Sequence, residues 1–149
     1  PPGTGDWSRA LGKSQNGETA HSLIANRGKR SLALDLKHPE GAAIAREAIN
    51  ILVDEGMVQR SAENGAYFLE QLQTIESAHV KEIRGRGLWI AIELNDQAGG
   101  ARRFCEALQE EGLLCKETHE YVIRIAPPLV ITRDELAWAV ERIRQVFAS

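Results

Sequence analysis

No run of apolar residues in this chain approaches the roughly 20 needed to cross a bilayer as a helix. No signal-peptide pattern opens it either, and it begins Pro1-Pro2 without a methionine. The expectation is a processed product, a fragment or an engineered piece that works in the cytoplasm. Excess charge is lacking too: a net −3 gives no global pull toward nucleic acid or an anionic membrane, so neither is expected as a partner. Cysteine is scarce. Cys105 and Cys115 are the only two, form no redox or metal motif in the sequence, and read as small buried thiols. The lack of a disulfide framework points to a reducing compartment. The four histidines, His21, His38, His79 and His119, are too scattered for a sequence-local metal site. What remains, 149 residues with 43% hydrophobic and 26% charged content, is one ordinary globular domain able to bury a core.

The most informative stretch runs from Gly112 to Ile131. Alternation over residues 121–126 puts Tyr121, Ile123 and Ile125 on one face of a strand and Val122, Arg124 and Ala126 on the other. Pro127 and Pro128 then remove two backbone donors and stop it. The apolar face should be the core face, so Arg124 points away from it, toward solvent or a partner. A planar guanidinium held on a strand suits bidentate capture of a carboxylate.

Around this stretch the periodicities predict further elements. Residues 80–83, 88–94 and 113–116 read as strands, with Leu88, Ile90, Ile92 and Leu94 on one face, and Arg84-Gly-Arg-Gly87 as a bend. Val58, Ala62, Gly65, Leu69, Leu72 and Ile75 form the stripe of a helix over 57–75. A helix over 101–111 is buried through Phe104, Cys105 and Leu108 and ends on Gly112. Thr132-Arg-Asp-Glu135 is a capping box opening a last helix with Leu136, Ala139, Val140, Ile143 and Phe147 inward and Trp138 at the margin. Earlier, Leu32, Leu34 and Leu36 alternate, predicting a strand over 31–36 that adds to a sheet edge. Pro39 opens a helix that Gly56 ends. Residues 1–25 read as loop. Gly12-Lys13-Ser14 is no phosphate loop, because Trp7 stands where that motif needs glycine. The predicted fold is α/β: a two-layer sandwich of a small, mostly antiparallel sheet with helices on one face, plus an N-terminal strand and helix.

Two family resemblances lie side by side. Val80-Lys-Glu-Ile-Arg-Gly-Arg-Gly-Leu88, Gly112-Leu-Leu-Cys-Lys-Glu-Thr-His119 and Val122-Ile-Arg-Ile-Ala-Pro-Pro-Leu-Val-Ile131 make residues 48–149 resemble the C-terminal small domain of class III pyridoxal-phosphate aminotransferases, of the ornithine-specific kind. That resemblance implies that Arg124 binds the substrate carboxylate. Pro2-Gly-Thr-Gly-Asp-Trp7, Asn26-Arg-Gly-Lys-Arg-Ser31 and Leu34-Asp-Leu-Lys-His-Pro-Glu-Gly41 make residues 1–47 resemble the start of family III CoA-transferases. There the resemblance implies Arg27, Lys29 and Arg30 as CoA phosphate contacts, with a solvated basic turn as the plainer alternative. The catalytic aspartate of that family has no counterpart here. The two resemblances meet inside one helical pattern, so the chain reads as a chimera joined where helix meets helix.

Transamination needs a lysine that forms a Schiff base and a carboxylate that holds the pyridinium nitrogen protonated. In the parent family both come from the large domain. None of Lys13, Lys29, Lys37, Lys81 and Lys116 matches a cofactor-lysine motif. Pyridoxal phosphate is therefore the parent family's cofactor but is not expected to be bound by this chain alone, and no residue is expected to be catalytic. Three functions stay open: an aminotransferase small domain without turnover of its own, a module binding CoA or a similar phosphorylated ligand, and a domain that forms homo-oligomers through surfaces a large domain would cover.

Overall fold

The computed structural model describes residues 14–15, 18–19 and 32–148. The chain divides into two units, Pro1–Asn50 and Ile51–Ser149.

In the first unit, β1 (Ser14–Gln15) and β2 (Glu18–Thr19) pair antiparallel. Residues 32–36 are not the strand expected of the segment 31–36: they carry no ladder, and Leu32 and Leu36 are exposed. A local turn wins instead. The Asp35 carboxylate accepts from Lys37 N–H at 2.9 Å and the Asp35 carbonyl from His38 N–H at 3.0 Å, bonds that compete with an extended ladder. The chain then enters α1 (Pro39–Asp54), with Pro39 at its first position. Gly41 is buried against the Asp35 carbonyl, whose oxygen a Cβ there would meet at 2.1 Å. α1 runs unbroken through the positions where the two resemblances meet.

In the second unit, Gly56, at φ 61°, precedes α2 (Met57–Gln73). The buried stripe of α2 is Asn64, Gly65, Phe68 and Leu72, turned from the predicted one, and Val58 is exposed. Its cause is a close approach: a Cβ on Gly65 would sit 2.1 Å from the carbonyl of Gly87. Gly87 belongs to the turn between β3 (Val80–Arg86) and β4 (Trp89–Leu94). The expected bend at residues 84–87 is narrower than its sequence implied. Arg84, Gly85 and Arg86 pair with Ala91, Ile90 and Trp89, and only Gly87 and Leu88 form the loop, Gly87 supplying φ 55°.

After a single 3-10 turn (Asp96–Ala98), α3 (Arg102–Glu110) ends on Gly112 at φ 86°. Gly112 N–H donates to Gln109 O at 3.0 Å and Leu113 N–H to Leu108 O at 2.8 Å, the paired bonds of a Schellman stop. That stop delays the next strand: β5 is Lys116–Glu117, not 113–116, and Leu114 is exposed. β6 (Val122–Ile125) follows a turn at His119, φ 60°. α4 (Arg133–Phe147) opens with the predicted capping box; Glu135 N–H donates to Thr132 Oγ1 at 3.2 Å and Thr132 N–H to the Glu135 carboxylate at 2.8 Å. The Thr132 N–H and hydroxyl, both donating to the Glu135 carboxylate, hold that carboxyl below its ordinary range.

The sheet is antiparallel throughout, in the order β3-β4-β6-β5. Ile83, Ile90, Ile92, Leu94 and Ile123 face Phe68, Leu72, Leu108, Leu136 and Ile143 of the helices, all buried. Burial at this level is worth roughly 1.5–3 kcal/mol per large aliphatic side chain. The α/β sandwich with helices on one face is thus present, and within this unit no helix covers the other face of the sheet.

Candidate functional site

The uncovered face is where Arg124 lies. Ile123 beside it is buried and Arg124 itself exposed, as strand alternation requires. Register sets its neighbours: Ala91 on β4 and Lys116 on β5 stand directly opposite Arg124, and Arg84 stands beyond Ala91. Paired residues share a face, so Arg84, Ala91, Arg124 and Lys116 form one row across all four strands. Arg84, Arg86, Trp89 and Ala91 also line a shallow hollow.

Charge on this face is divided. Glu93 accepts from Lys81 at 2.7 Å and from Arg84, which also donates to Glu82 at 2.9 Å. The hydrogen bonds from Lys81 and Arg84 hold the Glu93 carboxyl below its ordinary range, and Glu93 in turn raises Lys81 and Arg84. Those two cations are therefore committed. Among the described residues, Arg86, Lys116 and Arg124 have no hydrogen bond or ion pair through their side chains, and all three are exposed. Arg27, Lys29 and Arg30 lie outside the described residues.

Two contacts were not legible in the sequence. Lys116 faces Arg124 because β5 begins three residues after Leu113, where the Schellman stop releases the chain; only the hairpin register, fixed by Thr118 N–H donating to Val122 O at 2.7 Å, reveals it. The thiols of Cys105, on α3, and Cys115, just before β5, lie near enough to influence each other's ionisation. Burial pushes Cys105 up and Cys115 up to about 12, so both are poor nucleophiles. Cys115 also lines an apolar cavity of about 240 Å³ bounded by Phe68, Leu108, Ile125 and Leu136, with no charged group in its wall.

A model of the aminotransferase class-III family matches residues 38–147. The chain belongs to that family. A second model, for CoA-transferase family III, matches residues 1–54, so the two overlap over α1. The ornithine aminotransferase of Brevibacillus brevis is 57% identical over 109 residues, covering 73% of this chain and 27% of that protein. The chain thus spans about a quarter of the length of such relatives. Among solved structures, an ornithine aminotransferase from Toxoplasma gondii ME49 superposes with a TM-score of 0.69 at 34% identity, covering 87% of this chain and 31% of that one. Plasmodium falciparum ornithine delta-aminotransferase does so with a TM-score of 0.69 at 33% identity, covering 74% and 29%.

Class-III aminotransferases depend on pyridoxal phosphate, whose Schiff base needs an unprotonated lysine amine. The described residues do not fit that role. Lys81 is drawn toward its protonated form by Glu93. Lys37 and Lys116 are exposed, with no enclosing cavity.

Proposed function

We propose that this chain is the carboxylate-gripping portion of an ornithine aminotransferase-like enzyme, and that the chain alone does not transaminate. Arg124 carries the reading: it stands uncommitted and exposed on a paired strand, within a segment similar to ornithine aminotransferases. Its guanidinium takes the substrate carboxylate through two parallel N–H bonds. The Schiff-base lysine and the carboxylate partner of the pyridinium nitrogen come from a large domain. Adding pyridoxal phosphate with ornithine or glutamate and following cofactor absorbance tests it; cofactor-dependent turnover by the isolated chain refutes the inactive-fragment reading.

A second reading, supported by the match over residues 1–54, is a module binding CoA or a similar phosphorylated ligand through Arg27, Lys29 and Arg30. Calorimetric titration with CoA decides it, and affinity weaker than millimolar ends it. Self-association is the third, supported by the exposed Trp89 and Leu114. A strict monomer by light scattering at several concentrations contradicts it. All three readings put the protein in the cytoplasm, supported by Cys105 and Cys115 being free thiols.

A further inference from the structure

Lys116 and Arg124 are direct partners in the β5–β6 ladder, which sets their Cβ atoms about 5 Å apart on the uncovered face. Like charges directly opposite one another oppose strand pairing. Here the opposition falls on β5, a strand of only two residues, where little pairing is available to offset it. The acids of the sheet do not relieve it. Glu82 and Glu93 are held by Arg84 and Lys81, and Glu117, on the other face, takes Arg102 at 3.0 Å. On the far side of Arg124 stands Ala91, too short to cover the guanidinium. Two exposed cations thus stand opposite one another with no anion of the described residues between them.

We propose that Lys116 is the second cation of the carboxylate site, so that one carboxylate sits between Arg124 and Lys116. This rests on the reading of Arg124 given above. The planar guanidinium meets both oxygens edge-on, and the ammonium, a point charge with rotatable donors, takes a remaining lone pair of the nearer oxygen. Arg124 supplies orientation and Lys116 adds attraction that depends on the ligand's charge. The ligand class is a small carboxylate, with a neutral amide of the same shape excluded.

The test uses the full chain and glutarate as probe, with glutaramide as its uncharged counterpart, followed by NMR signals of the Arg124 Nε–H and Lys116 side chains. Glutarate should shift both and glutaramide neither. Lys116→Gln should weaken glutarate roughly two- to fivefold, the range open to an exposed charge pair, Lys116→Arg should restore it, and Arg124→Gln should weaken it at least as much. If Lys116→Gln leaves affinity unchanged while Arg124→Gln weakens it, the role of Lys116 is overturned and the reading of Arg124 stands. If Arg124→Gln changes nothing, or glutarate shifts neither residue, both fall.

Discussion

Replacing Gly65 by alanine probes how α2 docks on the β3–β4 hairpin that carries half of the uncovered face. A Cβ at this position would lie 2.1 Å from the Gly87 carbonyl carbon and oxygen, against 3.4 Å for ordinary contact, so helix and hairpin must part by 1.3 Å. The obstacle is backbone, and no rotamer change relieves it. Parting by that much breaks the 3.3 Å bond from Leu88 N–H to Ser61 Oγ and strains that from Asn64 Nδ2 to Ile131 O at 3.0 Å. It also loosens Phe68 and Leu72, which are 1% and 0% exposed. Overpacking costs about 1–3 kcal/mol and the lost hydrogen bond about 1 kcal/mol, while alanine's better helix propensity returns about 1 kcal/mol. The net expectation is about 2 kcal/mol of destabilisation, a fall in Tm on the order of 10 °C for a domain of this size. Thermal and urea unfolding by circular dichroism measure it. A Tm unchanged or raised, the outcome propensity alone would give, refutes the docking argument.

Two further outcomes follow from burial. Among the described residues, every buried member of the apolar core lies between Phe68 and Phe147, so a chain of residues 55–149 should unfold cooperatively with a Tm within about 4 °C of the full chain, the shift about 1 kcal/mol produces; loss of a cooperative transition would contradict this. Cys115, pushed up to about 12 from 9.0 because burial disfavours the thiolate, should have on the order of a thousandfold less thiolate than a free thiol at pH 8. Its alkylation should therefore be far slower in native protein than in urea and rise about tenfold per pH unit toward 12, and equal native and unfolded rates at pH 8 would rule this out.

Elements whose signal is a period or a cap were legible from sequence. Leu88, Ile90, Ile92 and Leu94 alternate and are buried; Thr132 and Glu135 cap as their spacing implies; Gly112 stops α3. The failures come from interactions that composition does not display. Three alternating leucines at Leu32, Leu34 and Leu36 have the period of a strand, yet the side chain and carbonyl of Asp35 fold that segment back on itself before Pro39. The stripe of α2 contains Gly65 and Leu72 as expected but turned toward Asn64 and Phe68, because how closely Gly65 approaches the Gly87 carbonyl cannot be read from a hydrophobic pattern. The direction of Arg124 was legible, since alternation alone decides which face a strand residue takes. What surrounds it was not, since neighbours across a ladder depend on where β5 starts, and a helix stop three residues upstream decides that.

An exposed arginine without a partner is commonplace, and its exposure alone would carry no argument. The force of Arg124 comes from its neighbours. Ala91 and Lys116 stand across the ladders from it, and Val122 is its own-face neighbour along the strand; none of these three is an acid that could close an ion pair with it. Instead the three acids on β3 to β5 are each taken elsewhere: Glu82 by Arg84, Glu93 by Lys81 and Arg84, Glu117 by Arg102. The same sheet that neutralises Lys81 and Arg84 leaves Arg124 without an acid among the described residues and sets Lys116 opposite it. Such a division is what a site for a visiting carboxylate requires, because any resident acid within reach of Arg124 would compete with it.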